Sequence, residues 1–90
     1  MTITAKINRI LPGDRRLKAI AEVVLDGAFV IRNVRVVDGT RGLFAAMPSY
    51  VDRGGEYRDH CFPVTAECSA DINGVVAAAY REACESLQQY

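Results

Sequence analysis

Three arginines and two tyrosines in the middle of this sequence are its side chains best suited to bind a ligand. Arg41 follows an Asp-Gly turn, while Arg53 and Arg58 flank a Gly-Gly pair, with Tyr50 and Tyr57 interleaved. Guanidinium groups fit phosphate, and tyrosine rings can stack on bases. The stretch predicts a nucleic-acid-binding surface formed by Arg41, Arg53, Arg58 and Tyr50. A solvated surface is the alternative, since arginine is mostly exposed in proteins.

Catalytic chemistry has little support in the sequence. His60 and Cys61 are adjacent, but neighbours on a strand point to opposite faces and cannot easily form a thiolate–imidazolium pair. The carboxylates are scattered, and the short glycine pairs do not open a helix as phosphate-cradling loops do. We therefore expect neither an enzyme nor a bound cofactor.

The three cysteines do not suggest a metal site. Cys61, Cys68 and Cys84 have spacings of seven and sixteen residues, which match no zinc template. Free cysteine usually behaves as a small core hydrophobe. We expect three buried or half-buried thiols and no metal.

The charges are balanced overall but unevenly distributed. Residues 1–60 carry ten Lys/Arg against seven Asp/Glu, whereas residues 61–90 carry one against four. A neutral total disfavours strong non-specific binding to polyanions. A local positive face can still attract them, because a polyanion responds to the local potential.

Length and composition predict a single globular domain spanning residues 1–90. Half of the 90 residues are hydrophobic, which excludes a disordered chain. No apolar run approaches the ~18 residues of a membrane span. The first six residues alternate and contain no long apolar segment of the kind that a signal peptide needs. The sequence thus favours a cytoplasmic protein that has no membrane partner and no small-molecule substrate.

Strand-like segments fill the first two thirds of the chain. Asp26-Gly27 separates two β-rich runs and predicts a two-residue hairpin turn between them. In the second run, Val30, Val34 and Val36 are predicted to share one face and Ile31 to lie on the other. Polar, glycine-rich residues 49–55 predict a loop. The predicted strands are 2–10, 17–25, 28–37, 43–47 and 56–62.

The last segment has helical periodicity. Ser69 is the expected N-cap, with Asp71 in the first turn. Gly74 weakens this helix by roughly 1 kcal/mol relative to Ala. The fold class predicted is α+β, with an antiparallel sheet of about five strands followed by a C-terminal helix packed on it. The predicted apolar stripe is Ile72, Val76, Ala79, Ala83 and Leu87, with Tyr80 beside it.

Several motifs in a fixed frame resemble one bacterial family. They are Leu17-Lys18-Ala19-Ile20-Ala21, Phe29-Val30-Ile31, Val34-Arg35-Val36-Val37-Asp38-Gly39, Gly42-Leu43-Phe44, Ala46-Met47-Pro48-Ser49 and Gly55-Glu56-Tyr57-Arg58-Asp59. The run from Arg16 to Arg81 is similar to the SpoVG family. The Met-Pro-Ser and Gly-Glu-aromatic-Arg-Asp segments are the most specific parts of the resemblance.

The resemblance implies a homodimer of α+β subunits that is cytoplasmic and non-enzymatic and that binds DNA, and in some members RNA. Such members regulate gene expression and formation of the division septum. The resemblance makes Arg41 and Arg58 expected phosphate contacts. An ion pair between Arg58 and Glu56 or Asp59 is the alternative role for that arginine.

This chain departs from the family pattern at two places. Many members carry a basic pair after Met-Pro-Ser, where this chain has Tyr50 and Val51. Near the helix start, Ser69 and Asp71 replace basic residues. Arg53 is expected to compensate from the same loop. The lost charge leaves a second hypothesis open, a protein-interaction module of the same fold that no longer binds nucleic acid.

Overall fold

The computed structural model describes the backbone of residues 1–88 and the side chains through residue 86. The α+β prediction is confirmed: strands precede a single long helix that packs on them. The elements are β1 (Ile3–Ile10), β2 (Leu17–Leu25), β3 (Phe29–Gly39), β4 (Gly42–Ala46), β5 (Ser49–Val51), β6 (Tyr57–Asp59) and α1 (Ala66–Gln88).

The strands form two antiparallel sheets. The main sheet has the order β1-β2-β3-β4, and β5 pairs with β6 in a separate two-stranded hairpin. The prediction of a loop over residues 49–55 is therefore wrong for Ser49–Val51. Three residues are too few to show an alternating pattern in the sequence, and the pairing with β6 makes this short segment a strand.

The turn between β2 and β3 has the geometry that Asp-Gly predicts. Asp26 and Gly27 have φ values of 54° and 64°, the two positive angles of a type I′ hairpin turn. The Asp26 Oδ1 atom also accepts a 2.7 Å hydrogen bond from the backbone N–H of Thr2. This turn thus anchors the start of β1 as well as joining β2 to β3.

An irregularity in β3 changes which side chains reach the core. Asn33 has a φ of 59°, and the β2–β3 register shifts between Ala21 and Val23. A bulge of this kind reverses the alternation of side chains beyond it. Ile31 therefore packs against the core, whereas Val30 is 43% exposed. The predicted assignment of these two side chains was wrong for this reason.

The helix begins earlier than Ser69. The Thr65 Oγ1 atom accepts a 3.1 Å hydrogen bond from the N–H of Cys68, so Thr65 is the N-cap. Glu67, rather than Asp71, supplies the acidic group of the first turn. The prediction of Ser69 as the N-cap was therefore wrong, because the hydrogen bond that identifies Thr65 depends on the path of the chain before the helix.

The core lies between α1 and one face of the main sheet. It is filled by Ala19, Ala21, Val23, Val34, Val36, Met47, Ile72 and Val76. Ile72 and Val76 belong to the predicted helical stripe, while the side chain of Leu87 lies outside the described ones. The opposite face of the main sheet, called the open face below, carries Ile20, Val24 and Arg35 and has no helix on it. Among the helices of residues 1–88, none combines the length and hydropathy of a membrane span.

Gly74→Ala is expected to stabilise the protein by about 1 kcal/mol, because alanine is the better helix former by that amount. Gly74 lies inside α1, is exposed, and an added Cβ would meet no atom within 4 Å. The melting temperature should rise by about 4–8 °C. Thermal unfolding followed by circular dichroism measures this change, and a fall in melting temperature would contradict an unobstructed site.

Candidate nucleic-acid interface

Arg41 lies in the tight turn between β3 and β4. Thr40 and Arg41 are its two central residues, and both are exposed. Gly42 has a φ of 115°, which a residue with a side chain rarely adopts. The turn therefore holds Arg41 at one end of the main sheet with its side chain in solvent.

The same end of the sheet carries two further arginines. The backbone N–H of Asp38 donates to the carbonyl of Arg16 over 2.8 Å, which places the loop before β2 beside the β3–β4 turn. Arg15, Arg16 and Arg41 thus belong to one end of the sheet. Arg53 and Arg58 lie elsewhere, on the β5–β6 hairpin. The predicted arginines therefore divide into two groups.

The β5–β6 hairpin is closed by the side chain of Asp52. Its Oδ1 atom accepts hydrogen bonds from the backbone N–H groups of Gly54 and Glu56, at 2.9 Å and 3.0 Å. Gly55 has a φ of 82°, as the turn requires. Arg53 lies at the exposed tip of this turn. A carboxylate that caps backbone groups in this way fixes the path of a short loop.

Arg58 is not a free cation. Its Nε–H donates to Asp52 Oδ2 at 3.0 Å, and its Nη2 group donates to Glu56 Oε2 at 3.3 Å. The alternative of an ion pair with Glu56 is thus realised, and Asp52 is an additional partner that the sequence pattern did not reveal. Both pairs are exposed to solvent. Two carboxylates reduce the positive potential that Arg58 can offer to a phosphate.

The pKa of Asp52 lies below the ordinary value, chiefly because of the hydrogen bond from Arg58 and next because of the one from the Glu56 N–H. A carboxyl group with a lowered pKa stabilises the folded form above its unfolded pKa of about 3.9, and this contribution disappears as the pH falls through the folded value. The charge of Asp52 therefore supports the hairpin at neutral pH.

Acidification from pH about 5 to about 2 is expected to loosen the hairpin tip, since protonated Asp52 loses its charge-assisted bonds. The amide resonances of Gly54 and Glu56 should titrate together in a heteronuclear NMR series. Asp52→Asn is the matched control, because it keeps the side-chain shape and removes the titrating group. Identical titrations in the two proteins would contradict this role for Asp52.

Tyr50 forms an aromatic pair with His60. Their ring centroids lie 4.9 Å apart with an interplanar angle of 38°. Tyr50 is directly opposite Arg58 in the β5–β6 register, so these two side chains share a face of the hairpin. This polar face, defined as Tyr50, Arg58 and His60, combines aromatic rings with a cation.

The other face of the hairpin, called the apolar face below for its pair Val51 and Tyr57, also carries Ser49 and Asp59 by the register. Val51 and Tyr57 are the next cross-strand pair, and they are 55% and 78% exposed. Successive residues of a strand point to opposite sides, so this apolar face lies away from the polar one. The two sides of the hairpin therefore present chemically different surfaces.

Arg35 is a cation that the loop-centred prediction omitted. It lies on the open face of β3, half-buried, and donates a 2.9 Å hydrogen bond to the carbonyl of Met47 and a 3.3 Å bond to Ser49 Oγ. These bonds attach the start of the hairpin to the main sheet. The sequence did contain a signal for this role of Arg35, which is its position within the valine run Val34-Arg35-Val36-Val37. A charged side chain in a strand of β-branched residues needs a specific partner.

The strand predicted over 56–62 ends at Asp59, so His60 and Cys61 lie in a bend after β6 and not on a strand. His60 is exposed beside Tyr50, whereas Cys61 packs against the core. The sulfur atoms of Cys61, Cys68 and Cys84 belong to half-buried thiols. Within residues 1–88, no group of three or more Cys, His, Asp or Glu residues could hold a metal ion.

Comparisons with known proteins identify relatives of this chain. The model of the SpoVG family matches residues 1–82. A Listeria monocytogenes protein named "Putative septation protein SpoVG 1" is 45% identical over 85 residues, which are 94% of this chain and 83% of that protein. The similarly named SpoVG of Heliobacterium modesticaldum is 44% identical over 86 residues, 96% of this chain and 97% of its own length.

Proposed function

Since the chain belongs to the SpoVG family, we propose that it is a homodimeric, non-enzymatic nucleic-acid-binding regulator that acts in gene expression and septation. The relatives' names support the septation role. Those names describe septation proteins and not enzymes, in agreement with the absence of a catalytic arrangement in the sequence. The nature of the ligand is argued below from the hairpin and the exposed arginines.

The polar face of the hairpin is the observation that carries the nucleic-acid proposal. Tyr50 and His60 present exposed rings that lie tilted against each other, and base–aromatic stacking contributes about 1–3 kcal/mol per base. Arg53 at the hairpin tip and Arg41 at the end of the main sheet make no ion pair within residues 1–88. Exposed rings with an unpaired cation at the tip of the same hairpin suit a single strand better than a rigid duplex.

The hairpin geometry defines what changes when the family's basic pair is replaced by Tyr50 and Val51. Tyr50 and Val51 occupy the two positions, and they face opposite sides. Tyr50 lies on the polar face, where a ring replaces a cation. Val51 lies on the apolar face. We infer that this member relies more on stacking and less on charge than a relative with two basic residues there.

A second copy of the chain is the proposed partner of the apolar face. Tyr57 and Val51 are large apolar side chains exposed side by side on this face, and Phe62 and Val64 are exposed shortly after β6. A monomer would leave these side chains solvated, whereas a two-fold dimer would bury them against their own copies.

The alternative is a protein-interaction module that has lost nucleic-acid binding. Neutralisation of Arg58 by Asp52 and Glu56 favours it, because that pairing removes a cation from the polar face. On this alternative, the apolar face would bind a different protein, and the arginines would be ordinary surface residues.

A mobility-shift assay with random pools of single-stranded and duplex DNA and RNA separates the two proposals. At about 50 mM salt, where phosphate contacts are strong, the nucleic-acid proposal expects a saturable shift. The interaction-module alternative expects no shift together with co-purification of a defined protein partner. Tyr50→Ala should weaken a true shift by about 10-fold, as loss of one stacked base would. Phe29→Ala, the same truncation at an exposed aromatic residue of β3 that lies outside the polar face, is the matched control.

A further inference from the structure

A cavity of about 370 Å³ lies where the base of the hairpin meets the open face of the main sheet. Arg35 and Ile20, which are opposite each other in the β2–β3 register, form part of its wall. Polar atoms from three other side chains complete the lining. The residues that line it are Ile20, Asn33, Arg35, Pro48, Ser49 and His60.

The guanidinium of Arg35 has donors to spare in this cavity. Its Nη2 group is used by the Met47 carbonyl and by Ser49 Oγ, both of which are neutral acceptors. Within the described side chains, Nε and Nη1 donate to no protein acceptor, and Arg35 forms no ion pair. A half-buried cation without a counter-charge is unfavourable, and an anion would offset that cost.

Two carboxylates on the neighbouring elements belong to other arrangements. Glu22 lies on the open face directly opposite Lys6 in the β1–β2 register. Asp59, the register partner of Ser49, lines a different cavity beside Phe44 and Pro63. Among the described residues, no carboxylate lines the Arg35 cavity, so its wall is cationic and hydrogen-bonding.

His60 connects this cavity to the aromatic pair. Its side chain lines the cavity and also lies against the ring of Tyr50. A phosphate at Arg35 would therefore lie beside a stacking surface, and the base of the same nucleotide could reach that surface. The cavity and the Tyr50–His60 pair thus offer adjoining positions for a phosphate and a base.

We propose that Arg35, Asn33, Ser49 and His60 form a phosphate-binding position, and that it holds one backbone phosphate of single-stranded nucleic acid whose adjoining base stacks on Tyr50. The inference rests on the proposed function and deepens it. It moves the central phosphate contact from the loops to β3. The same chemistry could bind the phosphate of a free nucleotide, and the experiment separates these sources.

Heteronuclear NMR on the full chain tests the site directly. Four probes are added separately: inorganic phosphate, thymidine monophosphate, an oligothymidylate strand, and the same strand with a neutral methylphosphonate backbone. The site predicts saturable shifts of the Arg35 Nε–H and of the Asn33 and Ser49 amides with the normal strand. The neutral strand should bind at least about 10-fold more weakly, since it lacks the charge that the guanidinium recognises.

Two pairs of variants measure the contribution of the cavity. Ile20→Glu places a competing carboxylate opposite Arg35, and Val24→Glu places the same charge elsewhere on the open face of β2. Only the first should weaken strand binding by about 10-fold or more. Arg35→Gln should have a comparable effect, with Arg32→Gln on the same strand as its charge-matched control. Melting curves identify any variant that has lost its fold.

The outcomes distinguish this inference from the function on which it rests. Strand binding that shifts the hairpin tip but leaves Arg35 Nε–H unmoved keeps the proposed function and overturns the site. Binding of phosphate or thymidine monophosphate at Arg35 without strand binding overturns the nucleic-acid assignment. If no probe shifts any resonance, both proposals fail. Equal weakening by Ile20→Glu and Val24→Glu also overturns the site.

Discussion

Tyr57→Glu is expected to convert the proposed dimer into a monomer, which is the largest effect of a single substitution on this surface. Tyr57 is the most exposed side chain of the hairpin's apolar face, with Val51 directly opposite it. A glutamate there would be buried without a counter-charge at the interface. Such burial costs several kcal/mol, or roughly 100-fold or more in the dissociation constant of the dimer.

Light scattering and sedimentation at micromolar concentration measure the mass of each variant. Ala78→Glu, on the exposed side of α1, is the matched control and should remain dimeric. A dimeric Tyr57→Glu protein would place the interface elsewhere on the molecule. A monomeric wild-type protein would remove homodimerisation from the proposed function altogether.

The double variant Arg41→Gln/Arg53→Gln is expected to produce the largest loss of nucleic-acid affinity from the predicted site residues. Each arginine is exposed and unpaired within the described residues, so each can neutralise about one phosphate. Loss of two contacts should reduce the slope of log affinity against log salt by about 1.4 for a single strand or about 1.8 for a duplex. The affinity itself should fall roughly 10- to 100-fold at low salt.

Arg9→Gln/Arg81→Gln is the matched control for this experiment, since it makes the same charge change at exposed positions of β1 and α1. An equal effect of the two double variants would show that net charge, and not a site, governs binding. Arg58→Ala should change the salt slope less than Arg53→Ala does. Two carboxylates already pair with Arg58, so little of its charge is available to a phosphate.

The main features of the fold could be predicted because they depend on local signals. Asp26-Gly27 specified a turn that few other dipeptides form, and the two β-rich runs on either side of it are β2 and β3. The helical stripe through Ile72 and Val76 likewise followed from periodicity.

The errors have a common physical origin in features that one or two residues decide. The bulge at Asn33 depends on a single positive φ angle, and it reversed the assignments of Val30 and Ile31. β5 is a strand only because β6 pairs with it. The helix cap was predicted four residues too late, because a single hydrogen bond from the Cys68 N–H to Thr65 identifies it.

The candidate site was harder to predict because it depends on tertiary contacts. Asp52 and Arg58 are six residues apart and meet only when the hairpin turn forms. In the sequence, Arg35 is simply an interior residue of a strand. Its hydrogen bond to the Met47 carbonyl exists only in the folded chain, where the segment after β4 lies against it. Proximity in sequence identified the exposed arginines but not the cation that the fold surrounds with polar groups.

The salt dependence of oligothymidylate binding by the wild-type protein tests the central claim most directly. Fluorescence anisotropy at a series of salt concentrations from about 50 to about 200 mM gives the slope of log affinity against log salt. Contacts from Arg35, Arg41 and Arg53 predict a saturable isotherm and a slope near −2, about −0.7 for each phosphate on a single strand. A folded protein that binds no strand at the lowest salt, or binds with a slope near zero, would contradict the account.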